Sequence, residues 1–221
     1  MAVDSKLPQL ITYSDPRSPA AEAYRQLRTN IQFAGLDKTL KSIMITAAGP
    51  DDGKSTTLAN LGVALSQTGS SVILLDCNLR RPSLHELFGL DNRQGITSWV
   101  EDGSAESIPT FDSGIPNLSL VPSGPLPPNP SEMLGSRRMA ELLKGLCDRA
   151  DYVLIDTPPV VAVTDAAVLA ARVDGVLLLV KAGKTKRNVA RRAKVILARV
   201  NANLLGVILN NVKYNSKLHG Y

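Results

Sequence analysis

The stretch Ala48-Gly-Pro-Asp-Asp-Gly-Lys-Ser-Thr-Thr57 decides the fold of this chain, because it has the residue types of a phosphate-binding loop. Ala48 stands where such loops usually have their first glycine, and four residues then lead to Gly53-Lys54-Ser55. Gly53 lets the backbone pass close to phosphate oxygens, and Lys54 places a positive charge on the outer phosphates. The Ser55 hydroxyl suits a Mg²⁺ ligand.

The sequence on either side of this loop has the pattern that the motif requires. An apolar, β-rich run precedes it, and an apolar helical pattern at 53–68 follows it, so that a helix N-terminus would add its partial positive charge. The alternative, a surface turn that contains Gly-Lys-Ser by chance, needs neither flank. The stretch therefore predicts a nucleotide triphosphate site, whose residues are Gly49, Asp52, Gly53, Lys54, Ser55 and Thr56.

Strand-like and helix-like patterns alternate along the rest of the chain. Apolar runs rich in β-branched residues lie at 42–46, 71–76, 118–121, 152–156, 176–180 and 205–210. Helical patterns lie at 19–33, 53–68, 131–149, 165–172 and 186–200. Strands that are apolar throughout are buried on both faces, which is typical of a parallel sheet covered by helices. The sequence predicts a three-layer α/β fold of the P-loop NTPase kind, with a mostly parallel central sheet flanked by helices.

Composition indicates one α/β domain and no membrane span. The 221 residues are 44% hydrophobic, and no apolar run approaches the roughly 18–20 residues that cross a bilayer. The N-terminus has no signal-peptide pattern, and Cys77 and Cys147 fall in apolar patterns, so both are predicted to be reduced core thiols of a cytosolic protein. His85 and His219 lack partners at metal-ligand spacing, so no transition metal is predicted.

Positive charge is concentrated towards the end of the sequence. Ten of the 25 Lys and Arg residues, and no Asp or Glu, lie in 181–221, which leaves the remainder of the chain net acidic. Such a segment suits nucleic acid, anionic lipid or an acidic partner, and it is equally typical of a solvated helix face. These alternatives stay open at this stage.

Two acids end buried strand patterns, namely Asp76 in Ile73-Leu-Leu-Asp76 and Asp156 in Val153-Leu-Ile-Asp156. Ligands of open α/β sheets bind at the carboxyl ends of the strands. A buried carboxylate there needs a cation or hydrogen-bond donors to offset its desolvation, and Mg²⁺ with a nucleotide would supply the cation. We therefore expect Asp156 to belong to the metal shell and Asp76 to accept a proton from a hydroxyl nucleophile. A single such acid would more often be a cap or turn residue.

Five segments resemble one family, and they occur in that family's order. The chain resembles the cytoplasmic kinase domain of bacterial tyrosine kinases (BY-kinases), which govern capsule and exopolysaccharide production and have a deviant P-loop ATPase fold. The resemblance runs from about residue 13 to 213. It rests on 48–57, on Leu75-Asp76-Cys77-Asn78-Leu-Arg-Arg-Pro82, on Asp156-Thr-Pro-Pro159, on Glu22-Ala-Tyr-Arg25-Gln-Leu-Arg28, and on Gly124-Pro-Leu-Pro-Pro-Asn-Pro-Ser-Glu132.

The resemblance implies a protein-tyrosine kinase that uses ATP and Mg²⁺. By resemblance Lys54 and Ser55 bind ATP–Mg²⁺, Asp76 is the base for a tyrosine hydroxyl, and Asp156 supports the metal. Lys54, Asp76 and Asp156 are then the expected catalytic residues, and the expected metal shell is Ser55, Asp76, Asn78 and Asp156. The family pattern has an acid at position 78, so Asn78 lacks one negative charge near the metal.

The same resemblance implies self-assembly and phosphorylation between subunits. Glu22, Arg25 and Arg28 would lie at the interface of a ring-like homo-oligomer such as an octamer, although pairing within one helix is the simpler interpretation of their spacing. Tyr214 and Tyr221 would be phosphorylated in trans, and packing at a strand end is the alternative for Tyr214.

The resemblance also suggests a division of the chain and a membrane partner. We expect an N-terminal segment at 1–17, a kinase domain at 18–213 and a tyrosine-bearing tail at 214–221, with loops at 1–17 and 122–130. The helix at 19–33 begins with Ser18 as N-cap and precedes the first strand as an appendage. A transmembrane co-polymerase-type activator, or a fused membrane domain, would hold this cytoplasmic protein at the inner face of the membrane.

Two other functions remain open on the sequence alone. One is a partition- or division-type P-loop ATPase switch, whose members carry an extra lysine at the start of the loop, where this chain has Ala47-Ala48-Gly49. The other is a nucleotide-bound scaffold with weak kinase activity, which Asn78 makes reasonable. No specific nucleic acid partner is expected. Asn210 and Asn211, at the end of the last strand, are predicted adenine contacts, with a simple turn as their alternative.

Overall fold

The computed structural model describes residues 10–36, 39–103 and 107–212. The strands among them are β1 (Ser42–Ala47), β2 (Val72–Asp76), β3 (Phe111–Asp112), β4 (Leu118–Val121), β5 (Tyr152–Asp156), β6 (Gly175–Lys181) and β7 (Leu204–Asn210). They form one seven-stranded sheet in the order β3-β4-β2-β5-β1-β6-β7. Every neighbouring pair is parallel except β3 with β4.

Helices cover both faces of this sheet and bury two separate apolar clusters. Cores of this kind form because strands apolar on both sides need a cover on each. The described helices are α1 (Ile11–Ser14), α2 (Pro19–Ala34), α3 (Lys54–Ser66), α4 (Leu84–Leu87), α5 (Ile96–Glu101), α6 (Pro130–Gly135), α7 (Arg137–Arg149), α8 (Asp165–Ala170) and α9 (Arg187–Arg199). One cluster contains residues of α5, α7, α8 and α9, and the other contains residues of α2, α3 and α4. The predicted three-layer α/β architecture is confirmed.

Two sequence predictions about local structure were wrong. The single helix expected at 131–149 is two helices, because Ser136 leaves helical geometry at φ −68° and ψ 162° and its side chain accepts a hydrogen bond from the Met139 N–H. The segment at 1–17 was expected to be a loop, but α1 forms within it. The N–H and hydroxyl of Thr12 both donate to Asn60 Oδ1 on α3, at 2.9 Å each, which holds α1 against the domain.

Helix α9 shows how part of the basic segment 181–221 is arranged. Arg191, Arg192, Lys194 and Arg199 are exposed on α9, whereas Ala193 and Leu197 are buried against the sheet. A solvated helix face therefore describes this helix in the isolated chain. No helix among the described residues is long and apolar enough to span a membrane.

Candidate nucleotide and metal site

The phosphate-binding loop lies between the carboxyl end of β1 and the first turn of α3. Gly53 immediately precedes α3 with φ +91°, a left-handed conformation that side chains rarely adopt. A Cβ at this position would lie 2.6 Å from Nδ2 of Asn210 and would displace this amide, so the backbone conformation and this contact both favour glycine. The predicted strand–loop–helix arrangement is present, and Lys54 and Ser55 begin the helix.

Asp52 and Asn210 stabilise this loop through hydrogen bonds. The buried carboxylate of Asp52 accepts hydrogen bonds from the Gly49 N–H at 3.0 Å and from the Thr185 hydroxyl at 3.2 Å. The Asn210 amide donates to the Asp52 carbonyl at 2.8 Å and accepts from the Asn211 N–H at 2.8 Å. These contacts tie the loop to the segment after β6 and to the end of β7. The adenine contacts expected from Asn210 and Asn211 stay a prediction.

Asp76 and Asp156 stand side by side at the ends of β2 and β5. They are partners in the register of these neighbouring strands, and both are fully buried. Asp76 accepts backbone hydrogen bonds at 3.0 Å from Ser83 and Leu84 and at 3.2 Å from Asn78. The structure thus brings together the two acids that the sequence placed 80 residues apart.

The proximity of these carboxyls perturbs both of them. Burial, followed by the charge of Asp156, raises the pKa of Asp76 to about 7, although the three backbone donors lower it. Burial likewise raises the pKa of Asp156 to about 6, against the lowering effects of the Lys54 charge and the Ser55 hydrogen bond. Two buried acids with raised pKa values beside a phosphate loop are typical of a site that receives a cation.

The donor set fits Mg²⁺. The Ser55 hydroxyl donates to Asp156 Oδ2, whereas Asp156 Oδ1 is buried and has no hydrogen-bond partner among the described residues. No cluster of three or more His, Cys, Asp or Glu side chains suited to a metal occurs in the described parts of the chain. Mg²⁺ fits such a site because it is bound through one or two carboxylates together with nucleotide phosphates and water.

The side chain of Asn78 forms hydrogen bonds within a turn and is not bonded to Ser55 or Asp156. Its Nδ2 donates to the Arg81 carbonyl at 2.7 Å, and the Arg81 N–H donates back to the Asn78 carbonyl at 3.1 Å. The amide therefore stabilises the segment that follows β2. An ionised aspartate could not replace it, because a carboxylate has no hydrogen to donate to the Arg81 carbonyl. A metal contact by Asn78 stays a prediction.

An open cleft of about 1130 Å³ lies beside these residues. Its walls come from the phosphate loop, the segment after β2 and the segment after β5, and they include Gly53, Lys54, Ser55, Thr56, Asn78, Arg80, Arg81, Ser83, Pro158, Pro159 and Val163. Its size is sufficient for a nucleotide's phosphates and an incoming side chain.

Sequence reasoning missed two groups in this cleft. Arg80 forms a two-pronged ion pair with the fully buried Asp165, at 2.8 and 3.0 Å, and Ser131 also donates to Asp165. Burial raises the pKa of Asp165, but these hydrogen bonds and the Arg80 charge outweigh it and leave the pKa low. Ser83 was missed as well, although it directly follows the segment 75–82. No spacing signal links Arg80 to Asp165 across 85 residues.

The predicted interface residues contact their own chain. Arg25 pairs with Glu22 at 2.6 Å within α2 and donates to the Pro16 carbonyl at 2.8 Å, while Arg28 donates to the Ala64 carbonyl of α3 at 2.9 Å. The pairing expected within one helix is present for Glu22 and Arg25. Tyr214 and Tyr221 lie outside the described residues.

Comparison with known proteins identifies the family. Residues 39–219 match the ParA family, described as NUBPL iron-transfer P-loop NTPase. Tyrosine-protein kinase YwqD of Bacillus subtilis is 44% identical over 204 residues, which are 92% of this chain and 86% of that protein. Tyrosine-protein kinase wzc of Salmonella typhimurium is 38% identical over 94% of this chain, but this match spans only 29% of that protein.

A solved structure agrees with these matches. The kinase domain of the Escherichia coli tyrosine kinase ETK superposes with a TM-score of 0.88 at 30% identity and covers 96% of this chain and 84% of that domain. This chain therefore has the phosphate loop and the paired strand-end acids, and it is similar to tyrosine kinases both in fold and in sequence. The chain belongs to the family of bacterial tyrosine-protein kinases, within the ParA-type P-loop NTPases.

Proposed function

We propose that this chain transfers the γ-phosphate of ATP to tyrosine hydroxyls of proteins, itself included, and thereby regulates capsular or exopolysaccharide synthesis and export. The observation that carries the proposal is the buried pair Asp76 and Asp156, in register on neighbouring strands and next to the phosphate loop. Phosphate transfer to a tyrosine needs the loop, a metal ligand and a base for the acceptor hydroxyl, and Asp76 is an acid buried at this loop.

Each side chain has a separate task in the proposed reaction. Gly53 and the first turn of α3 present backbone N–H groups to the phosphates, and Lys54 holds the outer ones. Ser55 and Asp156 would hold Mg²⁺, which when bound offsets the negative charge that develops on the phosphates. These groups position the γ-phosphorus in line with the acceptor hydroxyl.

Asp76 would act as the general base that accepts the proton of the tyrosine hydroxyl. The tyrosine oxygen forms a bond to the γ-phosphorus while the bond from that phosphorus to the β–γ bridging oxygen breaks, and ADP leaves. The phenolic proton passes to the Asp76 carboxylate, which is buried beside the phosphate loop.

The proposal extends to the acceptor and the assembly. We expect Tyr214 and Tyr221 to receive phosphate from a neighbouring subunit in a ring, with Glu22 and Arg25 at the contact. Both residues are at least part-exposed on α2, which supports their availability to a neighbour. Arg28, which is bonded to α3, would act at such a contact by fixing the position of α2.

A membrane partner completes the proposed function. The match with wzc spans under a third of that protein, so that relative has a large additional part. We propose that an equivalent part, supplied by a transmembrane co-polymerase-type partner or a fused domain, brings this chain to the inner face of the cell membrane and activates it.

A nucleotide-bound scaffold with weak kinase activity is the second candidate. The observation that favours it is Asn78, which lacks the charge of the family's acid and is engaged in a turn. The partition- or division-type switch shares the ParA family match, but its extra loop lysine is absent at Ala47-Ala48-Gly49.

An assay of phosphate transfer separates the kinase from the scaffold. Wild type and Lys54→Met are incubated with Mg–ATP and a tyrosine-containing acceptor, and phosphotyrosine is measured. A kinase loses about 100-fold or more of its rate, because Lys54 stabilises charge on the transferred group. Equal background signal from both proteins would favour the scaffold.

A further inference from the structure

The hydroxyl of Ser83 lies within the candidate metal site. It donates to the Ser55 hydroxyl at 2.8 Å, and Ser55 in turn donates to Asp156 Oδ2. The backbone N–H of Ser83 donates to Asp76 Oδ2 at 3.0 Å. Ser83 is thus bonded to two of the expected site residues and is linked through Ser55 to Asp156.

Local structure does not account for this hydroxyl. Ser83 occupies the N-cap position of α4, yet its side chain makes no capping hydrogen bond there. Asp76 instead accepts the N–H groups of Ser83 and Leu84. By contrast, the two serines Ser18 and Ser136 use their hydroxyls to cap α2 and α7 in the usual way. The Ser83 hydroxyl therefore bonds to Ser55 and does not cap its own helix.

We propose that Ser83 is a positioning residue for the divalent cation that accompanies the nucleotide, acting through the Ser55 hydroxyl. A serine hydroxyl has one hydrogen and two lone pairs. The hydrogen of Ser55 goes to Asp156, and one lone pair accepts from Ser83. The second lone pair of Ser55 is not used by either bond, and Asp156 Oδ1 is buried with no partner among the described residues. These two oxygens form one side of a cation site.

This inference rests on the proposed function, because the cation is the one expected with ATP. Groups that orient a metal ligand typically change metal affinity by about 10- to 100-fold when they are removed. Ser83→Ala would remove one of the two hydrogen bonds that orient the Ser55 hydroxyl, and we expect the lower end of that range, about 10-fold weaker cation binding. Ser83→Thr keeps the hydroxyl and is expected to stay within about 3-fold of wild type.

The test measures binding rather than turnover. Mg²⁺ is titrated calorimetrically into the full chain saturated with a non-hydrolysable ATP analogue, for wild type, Ser83→Ala and Ser83→Thr. Ser66→Ala serves as a matched control, because the Ser66 hydroxyl is also buried but bonds only to the Val63 carbonyl at the far end of α3. Thermal unfolding without ligand checks that each variant folds like wild type.

Each outcome bears on the inference. Weaker Mg²⁺ binding in Ser83→Ala, with Ser83→Thr and Ser66→Ala close to wild type, supports it. Unchanged or tighter Mg²⁺ binding in Ser83→Ala overturns it, since a hydroxyl that merely closes the site against the cation would give tighter binding. Failure of wild type itself to bind Mg²⁺ with the analogue would overturn the inference and the proposed function together. Unchanged cation binding with intact phosphate transfer would overturn the inference alone.

Discussion

Asp76 and Asp156 show at the scale of single residues why this site is suited to a cation. Both carboxyls are buried and adjacent, so ionising both costs desolvation and mutual repulsion. Lys54, Ser55 and the backbone donors offset part of this cost. The sequence predicted that both acids end strands, because apolar runs lead up to each. Their hydrogen-bond partners follow from the tertiary contacts and could not be predicted.

The pH dependence of stability tests this pair in the absence of nucleotide. Between the ordinary aspartate value near 3.8 and the folded pKa of about 7, folded Asp76 binds a proton that the unfolded chain has lost. Stability therefore falls as pH rises through this range, by at most about 1.4 kcal/mol per pH unit for one proton. Asp76→Asn has no titrating group at this position, so it does not undergo this loss of stability. The difference in free energy of unfolding, variant minus wild type, should therefore increase from about pH 5 to about pH 8. Urea unfolding at several pH values measures this, and a difference independent of pH would contradict it.

Asn78→Asp separates the structural from the metal-linked role of this position. The substitution removes the donor to the Arg81 carbonyl, at a cost of about 1 kcal/mol in unfolding free energy, and adds a charge near the two acids. We expect a less stable apoprotein but faster autophosphorylation at limiting Mg²⁺. Asn78→Ala is the control, because it removes the donor without adding charge. A metal-linked role is ruled out when the two variants respond to Mg²⁺ alike.

At the scale of elements, the accuracy of sequence prediction followed the strength of the pattern. All described strands except β3 were predicted to within one residue at each end, because each is an apolar run with clear ends. The short elements α1, α4, α5 and β3 have too few residues to show a period. The division of one predicted helix at Ser136 depends on backbone angles and a cap, which an apolar pattern does not reveal.

Ser136→Ala tests that division directly. Because Ser136 caps α7 through the Met139 N–H, alanine should lower the free energy of unfolding by about 1 kcal/mol. A continuous helix over 131–149 would instead gain stability, since alanine is the better residue in a helix interior. Chemical unfolding distinguishes these two signs. Ser136→Gly, which retains capping geometry, should cost only a few tenths of a kcal/mol.

On the scale of the whole molecule, contacts distant in sequence assemble one cleft. β2 and β5 supply the acids. The segment after β6 and the end of β7 hold the phosphate loop through Thr185 and Asn210, and α8 holds Arg80 through Asp165. The order of motifs in the sequence identified the family, and the predicted site residues that line the cleft are Gly53, Lys54, Ser55, Thr56 and Asn78. The bonds through Ser83, Arg80 and Asn210 could not be predicted, because each joins segments whose separation in sequence carries no regular pattern.

The central claim is that this chain is a tyrosine kinase that phosphorylates itself at the assembled cleft. Native and peptide mass spectrometry of wild type and Lys54→Met, before and after incubation with Mg–ATP, measures subunit number and phosphate sites together. We predict a ring-sized assembly of wild type that gains phosphate on Tyr214, Tyr221 or both, with none gained by Lys54→Met. Wild type that binds nucleotide yet gains no phosphate on tyrosine, or gains as much in Lys54→Met, would contradict the claim.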